Sequence, residues 1–279
     1  MKPGEYADYS YQAKRVRRGI RDRARQFLRR RALSALARFR PEGTPAVRCL
    51  YSHYVYDDQV ALFEQVIAHL SSVGTFVDTP TLMGMLRDGV TVDKNYFHLS
   101  FDDGFHNVVS NALPVLERYG VPAILFVATS FVGADWEDAR RYSVDITNNG
   151  GAIRTTGWAD LRQAVAKGFE VGSHTANHAR LSQVGSVEKL RAEIDGSKAT
   201  VEEMLQADCN FISWPFGTAA DINDAAFCQI AEAGFHGCFS AIRGAASSLE
   251  TDLLRIPRHQ IEFSWPKSHI EYFAMGGGE

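Results

Sequence analysis

The stretch NYFHLSFDDG, residues 95–104, begins as an apolar strand and ends in two adjacent carboxylates and a glycine. The carboxyl ends of parallel strands are where α/β folds place their active sites. In a regular strand Asp102 and Asp103 would face opposite ways, but Gly104 permits a sharp turn through which both can reach one site. Two carboxylates this close favour a bound cation. A helix N-cap beside a solvated turn residue is the alternative on these residues alone.

Outward from this stretch, apolar strand-like segments alternate with helical patterns along the chain. Strands are predicted at 46–51, 95–101, 123–127, 169–173, 210–214, 237–241 and 253–257, and helices at 57–73, 106–119, 157–167, 186–207 and 222–233. About seven strands separated by helices indicate a parallel α/β barrel or open sheet. The polar stretch 132–156 is predicted to be a loop insertion that could cover the site.

A second polar cluster, GSHTANH at residues 172–178, follows the apolar strand FEV. His174 and His178 would share a face if the segment were helical, and both could then bind one ion. Two histidines and one carboxylate form a facial set that leaves positions open for water and substrate. Surface or capping histidines are the alternative, but two polar strand ends together favour one shared site.

A third strand end carries Trp214, Pro215, Phe216 and Gly217 directly after NFIS. A rigid proline followed by an aromatic residue and a glycine suits a loop that lines a pocket and presents backbone N–H groups to it. A simple turn before the next helix is the alternative.

Three segments of the sequence resemble, in order and spacing, the first three motifs of the polysaccharide deacetylase (NodB-homology) family. They are SFDDG at 100–104, HTxxH at 174–178 and PFG at 215–217. The segment from residue 46, AVRCLYSHYVYDD, resembles the branch of that family with an early Tyr-His motif. The resemblance covers roughly residues 45–262 and implies an α/β fold of the distorted (β/α)7-barrel type. The expected organisation is a basic helical extension at 1–44 and a catalytic domain at 45–279.

The resemblance also implies roles for individual residues. Asp103, His174 and His178 are expected to bind a divalent metal ion, most often zinc, and Asp102 is expected to be the general base. A metal-polarised water would attack an amide carbonyl. The metal and a backbone N–H near residues 215–217 would stabilise the resulting oxyanion.

Two parts of the family pattern are not matched directly. A late Leu-x-x-His motif, the usual source of the general acid, is not recognisable, so His53 in the early LYSH segment is expected to be the acid and His259 is its rival. The arginine that usually opens the third motif is Ser213 here. Arg258 is the candidate to brace Asp102 in its place. The fourth motif, with Asp and Trp, is not recognisable.

The net charge of −3 conceals a strongly basic arm. Residues 13–40 hold twelve Arg and Lys and a single acid, Asp22, in a segment that predicts a helix over 11–40. Contact of residues 12–40 with an anionic membrane is the favoured interpretation, and a solvated extension or a subunit contact are the alternatives. No aromatic platform or reader motif supports nucleic-acid binding. The oligomeric state is left open.

The family resemblance implies a metal-dependent amino-sugar N-deacylase, by default a deacetylase, of cell-surface polysaccharide or lipopolysaccharide biosynthesis. No secretory leader or apolar membrane span is recognisable, and the four cysteines form no cluster, which favours a cytoplasmic precursor as substrate, at the inner face of the membrane. A deformylase acting on a lipid-linked formamido sugar is the close alternative. An inactive carbohydrate-binding relative, or a membrane-associated scaffold, would be a different class of protein.

Overall fold

Short apolar runs of the sequence form the strands of the structure, which is a computed structural model. The structure describes residues 4–13, 31, 45–89, 91–246 and 250–277. Most of these runs are buried along their length and read as continuous apolar stretches, which is typical of parallel sheets covered on both faces. The strands are β1 Val47–Ser52, β2 Thr75–Phe76, β3 Tyr96–Phe101, β4 Ile124–Val127, β5 Glu170–Ser173, β6 Phe211–Ser213, β7 Gly237–Phe239 and β8 His259–Gln260.

The strands form one sheet in the order β7-β6-β5-β4-β3-β1-β8, with β2 added beside β3, and every strand pairing is parallel. The segment before β8 turns the sheet into a barrel. Ile256 bridges Phe239 of β7, whereas His259 and Gln260 pair with β1. The α/β barrel predicted from the sequence is therefore confirmed, and it closes through this one segment.

The helices cover the outside of the barrel. They are α1 Ser10–Ala13, α2 Val60–Val73, α3 Thr79–Asp88, α4 Leu113–Tyr119, α5 Trp136–Arg140, α6 Trp158–Ala166, α7 Val187–Leu205, α8 Asp224–Glu232 and α9 Lys267–Ala274. Several begin at a side chain that accepts a hydrogen bond from the first turn, as Asp78 does for α3 and Asn223 for α8.

Alternation along β3 assigns its side chains to the two faces of the sheet. Phe97, Leu99 and Phe101 pack with the covering helices in the larger apolar core. His98 and Ser100 face the barrel interior, where the His98 ring stacks on Phe239. The same alternation directs Asp102, the next residue of this series, towards the interior at the carboxyl end of the barrel.

Two predicted elements are wrong in the structure. The strand predicted at 253–257 is reduced to the single bridge at Ile256, because Pro257 has no N–H to continue a ladder. The loop predicted at 132–156 contains α5 and a π-helical turn, Arg141–Ile146, whose Tyr142 and Ser143 are buried. The polar composition of the stretch 132–156 is that of an exposed helix face. Helices α3 and α9 and the short strands β2 and β8 were not predicted.

The predicted basic helix at 11–40 and its membrane contact lie almost wholly outside the described residues. The segment before it packs on the barrel: Ala7 N–H donates to the Ala152 carbonyl, and the Asp8 carbonyl accepts from Asp57 N–H. The boundary between 1–44 and 45–279 stays a prediction. Within the described ranges, no helix has the length and apolar character needed to span a bilayer.

His98 is a buried titratable group inside the barrel. It is 1% exposed, its Nε2 lies 3.0 Å from the Thr79 hydroxyl, and burial followed by the Arg258 charge lowers its pKa from 6.5 to about 3. In the unfolded chain the same ring protonates near pH 6.5. Between these two pKa values the unfolded state holds one proton more, so the free energy of unfolding falls as the pH falls.

We expect His98→Phe, which keeps a ring against Phe239, to flatten this pH dependence. Between pH 6.5 and pH 4.5 the free energy of unfolding of the wild-type chain should fall by about 2–3 kcal/mol more than that of the variant. Urea unfolding across this range measures the difference. Parallel curves for the two proteins would show that His98 does not titrate in this way.

Candidate active site

The Asp-Asp pair lies where β3 leaves the sheet. Asp103 and Gly104 both adopt left-handed backbone conformations, with φ of 72° and 67°. The chain therefore turns sharply, and consecutive carboxylates that a straight strand would separate both reach the cavity. The Tyr142 hydroxyl, 3.0 Å away, donates to the Asp103 carbonyl and fixes the turn.

The HTANH segment follows β5 as a loop, and its two histidines do not share a helix face. Thr175 and His178 have φ of 63° and 57°, which lets the chain curl back so that both imidazoles face the same point. Backbone hydrogen bonds from Thr129 to Thr175 and from Ala176 to Glu193 hold the loop. The two histidines, four residues apart, meet through this tight loop and not through a helical turn, so the helical interpretation is wrong.

Asp103, His174 and His178 converge on one point, and all three are buried. The Nε2 atoms of His174 and His178 lie 3.4 and 3.2 Å from the same Asp103 oxygen, Oδ1. Donors bound at about 2.0–2.2 Å to one zinc ion lie roughly 3.0–3.6 Å apart, so these separations fit a single metal ion. His174 Nδ1 lies 2.7 Å from the Ser213 carbonyl, which turns Nε2 towards the cavity, as is typical of a metal-binding histidine.

The ionisation of this trio is strongly coupled. Burial by itself would raise the pKa of Asp103, but hydrogen bonds from His174 and His178 hold that pKa far below its ordinary value. Burial would lower the pKa of His174, yet the Asp103 hydrogen bond and the two carboxylate charges raise it above its usual value. For His178 burial prevails, and its pKa is lowered. One deprotonated carboxylate thus faces two imidazoles, a donor set suited to a divalent cation.

Asp102 and Arg258 form a buried, bidentate pair. The two guanidinium Nη atoms lie 2.8 and 2.7 Å from the two Asp102 oxygens. Burial would raise the pKa of Asp102, but the Arg258 charge, followed by that of His174, lowers it. Arg258 also donates to the Ser213 hydroxyl at 2.7 Å. Ser213, which stands where the resembled motif has an arginine, therefore contacts Arg258, the residue predicted to brace Asp102.

Asp102, His53 and the trio Asp103, His174 and His178 line one cavity of about 310 Å³ at the carboxyl end of the barrel. His53 is half-buried and directly follows the end of β1, and its ring lies 5.5 Å from that of Tyr51. His259, the rival acid, is fully buried in β8 and does not line this cavity, whereas its neighbours Arg258 and Gln260 do. Strand alternation explains the difference, because adjacent residues point to opposite faces.

The Trp-Pro-Phe-Gly loop supplies one wall of the cavity. Trp214, Phe216 and Gly217 line it, whereas Pro215 lies buried behind them. Phe216 and Gly217 have φ of 63° and 70°, and a Cβ atom on Gly217 would lie 2.4 Å from the Ala241 Cβ. The Phe216 N–H donates to no acceptor in the described part of the chain, so it can bind a ligand.

The residues that complete the cavity were only partly predicted, through the insertion at 132–156. Thr147, Asn148 and Asn149 line it from the insertion, and Gln260 and Glu262 line it from the segment around β8. The Asn-Asn-Gly pattern lies in the insertion predicted to cover the site, but the sequence did not identify which of its residues reach the cavity. Tyr142 gave no signal either, since a single tyrosine in a polar stretch predicts no contact with a site 40 residues away.

Comparisons with known proteins point to one family. The family model described as polysaccharide deacetylase matches residues 89–237. YxkH of Bacillus subtilis (strain 168), whose name carries the same family, is 24% identical over 119 residues, which are 43% of this chain and 36% of YxkH. The match thus spans about a third of the length of that curated relative.

Solved structures show the same fold. The Streptococcus pyogenes deacetylase PplD in complex with acetate superposes with a TM-score of 0.68 at 19% identity, covering 83% of this chain and 99% of that one. IcaB from Ammonifex degensii gives 0.68 at 21% identity, covering 84% and 98%. A de-N-acetylase from Aggregatibacter actinomycetemcomitans gives 0.63 at 18% identity, covering 81% and 99%. Because the family model matches more than half of this chain, the chain belongs to the polysaccharide deacetylase family.

Proposed function

We propose that this chain is a divalent-metal-dependent hydrolase that removes the N-acetyl group of an amino sugar during synthesis of a cell-surface polysaccharide or lipopolysaccharide. The observation that carries the proposal is the buried convergence of Asp103, His174 and His178 beside the Asp102–Arg258 pair, in one cavity with His53. The fold alone would suit many activities, but this set of side chains suits amide hydrolysis.

A divalent cation is the cofactor we propose, with zinc first, because two imidazoles and one carboxylate with spare coordination positions match its preferences. Asp103 Oδ1 and the two Nε2 atoms would hold it. When bound, the cation supplies Lewis acidity and lowers the pKa of an attacking water.

The remaining chemistry belongs to protein groups. Asp102 takes the proton of the attacking water as the new C–O bond forms at the acyl carbon. The Phe216 N–H donates to the oxyanion at the carbonyl oxygen. His53 gives a proton to the sugar nitrogen as the C–N bond breaks, so that acetate and a free amine leave. Arg258 keeps Asp102 ionised and fixes its orientation through two hydrogen bonds.

The cavity wall supports a polyhydroxylated substrate. Amide, hydroxyl and carboxylate side chains from residues 147–149, Gln260 and Glu262 face it, with Tyr54 as an aromatic surface at the edge. Such groups suit the hydroxyls of a sugar ring, and an aromatic side chain suits its apolar face.

Mass-spectrometric detection of released acid tests the proposal. The purified chain, loaded with Zn²⁺, is incubated with N-acetyl and N-formyl amino sugars presented free, as oligosaccharides, nucleotide-linked and lipid-linked. We expect acetate release by the wild-type chain and none by His174→Ala. Formate release alone would identify a deformylase. No acid from any substrate, with folded and metal-loaded protein, would instead support a carbohydrate-binding relative or a scaffold.

A further inference from the structure

The two proposed metal-binding histidines are oriented in different ways. His174 is fixed by its Nδ1 contact with the Ser213 carbonyl. His178 Nδ1 is buried and has no hydrogen-bond partner in the described part of the chain. Metal-binding histidines usually donate that second N–H to an oxygen atom, which fixes the ring. No hydrogen bond at Nδ1 therefore fixes the His178 ring, and its only polar contact in the described part of the chain is that of Nε2 with Asp103.

Aromatic rings surround His178 instead. The Phe216 ring lies 4.8 Å from it at 72°, the Tyr142 ring 5.9 Å away at 80°, and the His174 ring 5.0 Å away at 68°. Tyr142 is itself fixed by its hydrogen bond to Asp103 and its stacking on Phe131. Phe216, by contrast, has its backbone in the left-handed conformation that non-glycine residues seldom adopt.

Arg180 supplies the anchor for Phe216. Its guanidinium carbon lies 3.6 Å from the Phe216 ring centroid, which is close stacking of a planar cation on an aromatic face. Arg180 follows His178 by two residues, so it connects the histidine loop to the Trp-Pro-Phe-Gly loop. It does not line the catalytic cavity.

Asp221 fixes the arginine in turn. Its Oδ1 pairs with Arg180, while Oδ2 accepts from the backbone N–H and the hydroxyl of Thr218. Asp221 is buried although its partner is exposed. Further bonds from Ser182 to the carbonyls of Asp221 and Ala220 join the same two loops.

We propose that Arg180 is a positioning residue that orients His178 through the ring of Phe216, in place of a hydrogen bond to Nδ1. The inference rests on the proposed metal-dependent function. It extends that function to a side chain that touches neither the metal-binding atoms nor the cavity. Loss of the stack would free Phe216, and with it both the His178 ring and the Phe216 N–H.

Cobalt binding and acetate release together test this inference. For Arg180→Ala we expect Co²⁺ affinity, titrated by the visible absorption of the bound ion, to fall about 10-fold, and kcat for acetate release to fall about 10- to 100-fold. KM should change less than twofold, since Arg180 does not contact substrate. Arg180→Lys, which can pair with Asp221 but cannot stack as a planar group, should recover only part of both losses.

Arg255→Ala is the matched control. Arg255 stacks on Phe227 at 4.2 Å and pairs with Asp252, but lies outside the catalytic cavity. It should change neither Co²⁺ affinity nor kcat. Wild-type Co²⁺ affinity in Arg180→Ala, or equal losses in both variants, would overturn the inference. If the wild-type chain binds Co²⁺ but releases no acetate, the proposed function fails while the Co²⁺ titration still decides the role of Arg180.

Discussion

Asp102→Asn is expected to retain bound metal and to lose at least about 100-fold in kcat for acetate release, because the amide cannot accept the proton of the attacking water. Asparagine has nearly the same shape as aspartate and leaves Asp103, His174 and His178 in place. Metal content by plasma mass spectrometry and initial rates of acetate release measure the two effects on the same preparation. His174→Ala should show the opposite pattern, with loss of the metal as the primary defect.

The separation of these two effects depends on the geometry of the Asp-Asp turn. The Asp102 carboxylate meets Arg258, whereas the Asp103 carboxylate meets the two histidines. Asp93→Asn, at an exposed carboxylate that accepts a hydrogen bond from Tyr96, is the control for a general effect of losing one charge. Full turnover by Asp102→Asn would contradict its assignment as base, and loss of metal from this variant would place Asp102 in the metal site.

The sequence was sufficient for the parts of the site that depend on strand order. Parallel strands bring their carboxyl ends to one edge, so polar residues following β3, β5 and β6 had to lie near one another. The loop conformations were not readable in the same way. His174 and His178 meet because Thr175 and His178 adopt positive φ, and nothing in the letters HTANH distinguishes that loop from a helical turn.

Contacts between distant segments were harder to predict. Arg258 was predictable only because Ser213 stands where the resembled motif has an arginine. The approach of Arg258 to Asp102 depends on how residues 253–260 close the barrel. The sequence did not indicate roles for Tyr142 and Arg180, since each acts through a ring or a carbonyl that the fold brings near. Binary patterning also misassigned 132–156, where an exposed helix and a loop have the same polar composition.

Arg258→Met is expected to lower the free energy of unfolding by about 3–5 kcal/mol, because it leaves the Asp102 carboxylate buried without its partner. Arg258 is fully buried, and its guanidinium makes five hydrogen bonds, two to Asp102 and the others to Ser240, Ser100 and Ser213. Urea unfolding of the metal-free proteins measures the loss. Arg258→Lys should also be destabilised, since an ammonium group cannot reproduce a bidentate contact.

A double-mutant cycle separates the ion pair from the packing of the arginine. In the Asp102→Asn background no buried carboxylate is left behind, so Arg258→Met should cost about 1–3 kcal/mol less than in the wild-type chain. If Arg258→Met alone does not fold, the Arg258→Lys cycle gives the same coupling with a smaller change in shape. Additive effects in both cycles would mean that the arginine stabilises the barrel through its contacts with Ser240 and the Tyr51 ring, independently of Asp102.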